Sequence, residues 1–333
     1  MNVLWTHNFN PEVGGSGVFM RTFANALADY GVNIELMYLG RLNSPMKLNN
    51  ARDRVRKLSI DFDIVHSQFG SACAYVSGAA VVHKIVSLRG SDWHLYRGPD
   101  FREMWHGVLA NLFTRACLPS FDAIITMSNR MTGGVRRSWP DMLVKTLPDP
   151  VDTKLFSPMD RSEARFQLAG TTSTAPWVLF TTLSASNPIK RVHLAREAVS
   201  IASTDLEGLE LKVANNIPHD LMPLFVASCD LTLCTSTHEG WPNSVKEGLA
   251  CGLPFVSTDV SDLHLIANRN NGCIICDPDV EMLADALVSS LKKGRNPSLR
   301  DEVKFMEVDS SCRQLVSFYE SVLSRSKNSE QMV

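Results

Sequence analysis

Short runs of β-branched and aromatic residues alternate with stretches of helical spacing from the first residues of the chain. NVLWT at residues 2–6 is the first such run. Val18, Phe19, Thr22, Phe23, Ala26 and Leu27 then recur at i, i+4 and i+8, which marks one face of a helix. The alternation continues through NIELMY, FDIVHS, KIVSL and DAIITM, with helical stretches near residues 101–117 and 128–139. This order predicts a parallel sheet covered by helices.

The pattern stops between Val144 and Pro158. There KTLPDPVDTKLFSP carries three prolines and no period survives. A domain boundary is placed here, giving domains 1–150 and 151–333. Beyond it the alternation restarts with WVLFTTL, a helix from about Lys190, LELKVA, a helix from His219 to Ser228, DLTLCTS and PFVSTD. A last helical pattern, residues 300–325, has no strand after it and is expected to pack back towards the first domain. The predicted fold is α/β, with two doubly wound Rossmann-like domains facing across a cleft. Strand C-termini and helix N-termini would line both walls, where a ligand is expected.

Composition changes this picture little. Of 333 residues 44% are hydrophobic and 20% charged, ordinary for a globular chain, and disorder is expected only in the polar tail 324–333. No run approaches the roughly 20 apolar residues of a membrane span, and MNVLWTHNF lacks the basic start of a signal peptide. A cytoplasmic protein follows, with peripheral attachment to the inner membrane face kept open. The eight cysteines are scattered; one CxxC, Cys273 and Cys276, lacks the partner pair of a structural metal site, so no metal is expected. Charge is uneven: residues 1–150 hold 16 Lys and Arg against 12 Asp and Glu, residues 151–333 hold 17 against 23. The basic first half suits anionic lipid headgroups or an anionic acceptor, although a mixed solvated surface accounts for the same numbers.

The candidate chemistry is densest in CTSTHEGWPNSVKEGLACGLPFVSTD, residues 234–259, which runs strand, loop, helix, strand. Asn243 after Pro242 reads as an N-cap, with the helix starting near Ser244 and its free amides and dipole ready for a diphosphate. Glu239 before that helix and Glu247 within it can accept hydrogen bonds from sugar and ribose hydroxyls. Taken alone, the two glutamates read more readily as a turn cap, Glu239, and a solvated helix face, Glu247.

At this point the sequence resembles the retaining GT-B glycosyltransferases of glycosyltransferase family four. Their signature, two glutamates separated by seven residues in an EGxPN…EAxAxGxP pattern, stands here as Glu239, Gly240, Trp241, Pro242 and Asn243, then Glu247 to Pro254, with Gly248 in place of the family's alanine. The resemblance implies that Glu239 addresses the donor sugar and Glu247 the nucleotide ribose. It also implies that Lys190 meets the donor diphosphate, as does the helix start at Asn243 and Ser244. The family's upstream arginine has no counterpart in TTLSASNP, and Arg191 is the candidate substitute. Asn216 and Ile217 correspond to the segment lining the nucleotide base. PDPVDTKLFSP resembles the family's PNGVDxxxFxP hinge, with Asp149 and Pro150 for Asn and Gly.

In the first domain, PEVGGSGVF resembles the family's glycine-rich loop, in which Gly15, Ser16 and Gly17 would allow close approach of a phosphate or sugar. It is not a dinucleotide fingerprint, because Met20 takes the third glycine position. VSLRGSDWH corresponds to the acceptor segment, with Arg89 in place of the usual histidine. Asp92 and His94 are candidates to orient an acceptor hydroxyl or take its proton, with His7 and His66 as weaker ones, and Arg89 is suited to an acidic acceptor. Asp92 reads equally as a turn cap.

The resemblance implies a retaining, metal-independent, cofactor-free hexosyl transfer, as front-face chemistry, from a UDP- or GDP-linked sugar to a glycan, lipid-linked or small-molecule acceptor in surface-polysaccharide assembly. A nucleotide-sugar epimerase of the same architecture and a catalytically silent binding partner of another transferase are the alternatives; a nucleic-acid partner is not expected.

Overall fold

The computed structural model describes residues 1–9, 15–95 and 101–330, without the side chains of residues 15–19, 102, 103 and 326–330. The chain divides into two compact units, residues 1–149 with 308–333 and residues 150–307.

The first unit contains β1 (Asn2–His7), α1 (Gly15–Ala28), β2 (Asn33–Tyr38), α2 (Pro45–Leu58), β3 (Ile64–Ser67), α3 (Ser71–Ser77), β4 (His83–Leu88), α4 (Phe101–Cys117), β5 (Ala123–Thr126), α5 (Asn129–Ser138) and β6 (Leu143–Thr146). Its six strands are all parallel in the order β2-β1-β3-β4-β5-β6, the doubly wound arrangement in which the chain leaves β1 towards both edges. The central strands are buried on both faces, β3 and β5 along their whole length, so they read as continuous apolar runs.

The second unit contains α6 (Arg161–Ala169), β7 (Trp177–Thr181), α7 (Val192–Ala202), β8 (Glu210–Ala214), α8 (Met222–Ala227), β9 (Leu231–Cys234), α9 (Asn243–Ala250), β10 (Phe255–Ser257), β11 (Ile274–Ile275) and α10 (Val280–Lys293). Its sheet is also parallel, ordered β11-β10-β9-β7-β8, so the winding reverses between β7 and β9. Val178, Phe180, Leu231, Leu233 and Val256 of the strands pack with Ala195, Val199, Leu283 and Leu287 of α7 and α10 in one core.

The helical pattern expected over 300–325 is two elements. A 3₁₀ stretch covers Pro297–Met306, Glu307 is extended (ψ 150), and α11 (Val308–Glu330) starts afterwards and belongs to the first unit. The break has a cause: Val151 pairs with Glu307 as an isolated parallel bridge, its amide donating to Met306 O at 2.8 Å. α11 is pinned to the first unit by Tyr319, whose hydroxyl accepts from Trp5 Nε1 at 2.9 Å and lies 2.7 Å from His66 Nδ1.

Two glycines in the second unit are required by contact. Gly252 ends α9 with φ +77, and a Cβ there would lie 3.2 Å from the backbone of Asn296 and Pro297. Gly248 faces Thr232 of β9, where a Cβ would come within 2.3 Å of Oγ1, a hydroxyl buried without a hydrogen-bond partner. The glycine in place of the family's alanine and the threonine beneath it are therefore one packing solution. Gly248→Ala is expected to destabilise the second unit by about 1–3 kcal/mol despite its better helix propensity. Thr232→Ala in the same chain should restore most of that loss in urea unfolding.

Candidate functional site

The winding of the second unit decides where a ligand can sit. In open α/β sheets the crevice lies beyond the strand C-termini where the order reverses, and here that is between β7 and β9. The loop after β7 carries Lys190 and Arg191, and the loop after β9 carries Ser236 and Glu239.

These two loops are tied together. Thr237 N donates to Ile189 O at 2.9 Å, and Thr235 Oγ1 donates to Lys190 O at 2.7 Å. Arg191 stands in left-handed backbone (φ 51) ahead of α7 and donates from Nε to Thr235 O at 2.5 Å and from Nη2 to Ser236 O at 2.9 Å. Its guanidinium thus braces the β9 loop, a role different from the diphosphate contact expected of it. Thr258 Oγ1 donates to Ser236 O at 2.6 Å and Ser261 Oγ to Gly240 O at 2.5 Å, so the start of the EGWPN segment is held from below as well.

On this frame Lys190 Nζ donates to Glu239 Oε1 at 2.6 Å, and Ser236 Oγ donates to the same oxygen at 2.7 Å. Burial alone would lower the Lys190 pKa, but the Glu239 carboxylate outweighs it and holds the ammonium above its usual range. Burial likewise works against Glu239, yet Lys190 and the Ser236 hydroxyl bring its carboxyl below the ordinary value. Both groups are therefore charged at neutral pH. Ser236 had no signal in the spacing of glutamates; a serine after a buried strand is unremarkable until the strands are placed.

α9 begins one residue earlier than the sequence indicates. Pro242 holds the N-cap position in extended backbone (φ −69, ψ 115), no side chain caps the helix, and Asn243 is the first helical residue, exposed rather than capping. Proline fixes the entry dihedral, so Asn243 is not needed as a cap. Ser244 and Trp241 are buried beside it. Glu247, one turn in, is partly exposed, and burial pushes its carboxyl up to about 7 against a small opposing influence of Lys246. Asn216, with φ 53, and Ile217 follow β8 at the same edge of the sheet.

The first-unit candidates separate. Asp92 is fully buried and its carboxylate accepts from Gly70 N at 2.7 Å, from Arg89 N at 2.9 Å and from Gly90 N at 2.9 Å. It organises the loops after β3 and β4 and has no face left for an acceptor hydroxyl, which corrects its expected catalytic role. His66 is likewise a buried core group, between Tyr319 and Ser87 Oγ at 2.8 Å, and desolvation with the Arg89 charge lowers its pKa to about 3. His7 is buried, near Phe9 O at 3.1 Å, with its pKa lowered by burial. Arg89 donates from Nε to Gln68 O at 2.6 Å and from Nη2 to Gln68 Oε1 at 2.7 Å, and pairs through Nη1 with Asp149. The two departures from the family text, Arg89 and Asp149, thus meet. His94 stands partly exposed, its amide donating to Gly90 O at 2.7 Å. The side chains of Gly15, Ser16 and Gly17 lie outside the described residues; the backbone there opens α1.

Among the described residues no group of three His, Cys, Asp or Glu side chains is placed to hold a metal ion, and no helix is long and apolar enough to cross a membrane.

With this geometry in view, residues 141–293 match the family model described as Glycosyl transferases group 1. That segment is thus similar to glycosyl transferases of group 1. It contains Lys190, Glu239 and Glu247 together with the β7/β9 crevice. No curated protein matches the chain. Among solved structures the chain is similar to the sucrose-phosphate synthase of Thermosynechococcus elongatus, at 14% identity and TM-score 0.79 over 97% of this chain and 99% of that one. It is also similar to Anabaena Alr3699/HepE in complex with UDP and glucose, at 15% identity and TM-score 0.69 over 96% and 100%. The lipopolysaccharide outer core galactosyltransferase WaaB is a third, at 13% identity and TM-score 0.67 over 98% and 100%. At these identities the likeness shows the fold alone, two parallel-sheet α/β units of GT-B type.

Proposed function

We propose that the chain is a glycosyltransferase that moves a hexosyl group, with retention, from a UDP- or GDP-linked donor to an acceptor hydroxyl. The observation that carries this reading is the convergence at the β7/β9 crevice of a fixed cation, Lys190, a fixed carboxylate, Glu239, and the uncapped start of α9 with Glu247 inside it. Lys190 and the first amides of α9 would receive the diphosphate, Glu239 the donor sugar hydroxyls and Glu247 the ribose hydroxyls, with Asn216 and Ile217 beside the base. The acceptor oxygen forms its bond to the anomeric carbon on the face from which the diphosphate departs. The carbon–oxygen bond to the diphosphate breaks, and the acceptor proton passes to a leaving-group oxygen. Charge accumulating on that diphosphate is met by Lys190 and the helix dipole, so no metal or other cofactor is assigned a step. The complex of HepE with UDP and glucose motivates UDP-glucose as the first donor to try. The acceptor is a glycan, a lipid-linked or a small-molecule hydroxyl, with Arg89 and His94 the first-unit groups nearest in sequence to the expected acceptor segment.

A second reading, a chain that binds the donor and transfers nothing, is favoured by one observation: Arg191 is engaged with backbone carbonyls, leaving Lys190 to serve the diphosphate without the second cation. Titration calorimetry across UDP- and GDP-sugars, with product analysis, separates the readings. Binding and release of nucleoside diphosphate above background are expected. Binding without turnover would leave the silent partner, and neither would sink both.

A further inference from the structure

α4 carries an apolar stripe on its outer side. Phe101, Trp105, Leu109 and Leu112 fall at i, i+4, i+8 and i+11, one line down a helix, and are 67%, 49%, 59% and 58% exposed. Phe101 and Trp105 pack edge to face with centroids 5.9 Å apart, forming one aromatic end to the stripe. The inward face carries polar side chains instead. Asn111 is buried and donates to Trp93 O, and Thr114 is buried, its hydroxyl accepting from Ser71 N at 2.7 Å and donating to Ala110 O at 2.9 Å. These hydrogen bonds, with Phe113 against Tyr75 (ring centroids 5.0 Å) and the buried Cys117, hold α4 in place, while the stripe from Phe101 to Leu112 faces outward.

We propose that this face of α4 docks the protein on an anionic lipid surface. Charge selects the occupant. Arg136 and Arg137 are exposed in the last turn of α5, whose C-cap, Trp139, is joined to α4 by Arg115, with the guanidinium 4.2 Å from the Trp93 ring and 5.9 Å from the Trp139 ring. Arg115 thus lies one turn beyond Leu112 on α4 itself, and Arg136 and Arg137 lie on the helix whose C-cap it contacts. The unit that bears it is basic, with 19 Lys and Arg against 15 Asp and Glu, whereas residues 150–307 hold 14 against 20. An apolar line with Trp and Phe, bordered by arginine, is the composition of helices that lie in a membrane interface with their apolar side sunk about 5–10 Å. Size argues against a protein partner. Four side chains of this kind offer roughly 400 Å², about half of what each side of a stable interface buries. Docking stands apart from the transferase reading; that the acceptor is carried by the membrane rests on that reading.

The test is co-sedimentation of the full chain with phosphatidylcholine vesicles with and without phosphatidylglycerol. Wild type is expected to sediment with the anionic vesicles and to be released at high salt. Trp105→Ser/Leu109→Ser/Leu112→Ser should lose at least tenfold in partitioning, and Arg136→Glu/Arg137→Glu about tenfold or more. Both variants alter exposed positions, so their melting temperatures and donor affinities should match wild type, which separates loss of docking from misfolding. Equal sedimentation of wild type and triple variant, absence of binding to anionic vesicles, or a wild-type dimer that the triple variant dissolves would each overturn the proposal. Loss of donor binding by wild type would instead strike the transferase reading and leave this one standing.

Discussion

Replacing Glu247 by glutamine is expected to raise the melting temperature at pH 8 while removing most of the nucleotide-sugar affinity. Burial holds this carboxyl at about 7 against an ordinary 4.5, so the folded chain resists its ionisation. The sign follows from linkage. A folded pKa above the unfolded one gives a contribution that is complete below pH 4.5 and is lost as pH rises through 7. At about 1.4 kcal/mol per pH unit the loss comes to about 3.5 kcal/mol, and allowance for the part of the side chain that meets solvent brings it nearer 2. Glutamine never ionises, so the variant keeps what the wild type loses, a few degrees of melting temperature at pH 8 and almost nothing at pH 4. Binding runs the other way. A carboxylate accepts from two ribose hydroxyls, and each charge-assisted bond is worth about 1.5–3 kcal/mol, so the amide should weaken donor binding at least tenfold. The same ionisation makes wild-type affinity about tenfold weaker at pH 6 than at pH 8. Calorimetric melting and titration at both pH values check the pair of effects. A variant with wild-type affinity, or with a melting profile parallel to wild type across pH 4–8, would remove Glu247 from the donor site.

That a group proposed to bind the donor destabilises the protein when ionised fits the logic of sites that carry strain for function. It also shows what the sequence could and could not carry. Spacing located both glutamates and the helix that holds the second, because loop, helix start and apolar face each leave a local mark. Nothing local told that β7 and β9 are neighbours, and that adjacency is what puts Lys190 on Glu239 across 49 positions of sequence. Asp92 failed for a related reason. An aspartate after a glycine at a strand end looks the same whether its carboxylate faces solvent or gathers the amides of Gly70, Arg89 and Gly90. Continuous periodicity misled at Glu307, where Val303 and Met306 before it and Cys312, Leu315 and Tyr319 after it keep a helical rhythm through an extended residue. The apolar period records which side is buried; it does not record a strand-like bridge to Val151 that interrupts the backbone. The outward stripe of α4 was invisible too, since the same period describes an inward and an outward stripe.

Lys190→Ala is expected to lower turnover about 10²–10³-fold, with a smaller effect on donor affinity. The argument begins from the ground state, in which the ammonium is not idle. It holds Glu239 ionised, and Glu239 with Ser236 holds it in place. A donor diphosphate arriving at the α9 N-terminus carries most of its charge already, so its binding draws on the helix amides as well as on Lys190. The charge that grows on the departing oxygen has no such reserve, and removing one fixed donor from a developing oxyanion costs about 2.7–4 kcal/mol. Alanine also strands a buried carboxylate, whose pKa must then rise because burial is no longer opposed. Turnover at saturating donor in Lys190→Ala should therefore show a new dependence on the ionisation of Glu239, falling below neutral pH where that of wild type, once the donor is saturating, is flat. Glu239→Gln in the Lys190→Ala chain removes that dependence and recovers stability without recovering turnover, since the two residues act on different parts of the donor. Steady-state kinetics with a UDP-sugar across pH 5–8 read both outcomes. Turnover within threefold of wild type in the single variant would place the diphosphate elsewhere and leave the Lys190–Glu239 pair as a purely structural link between the β7 and β9 loops.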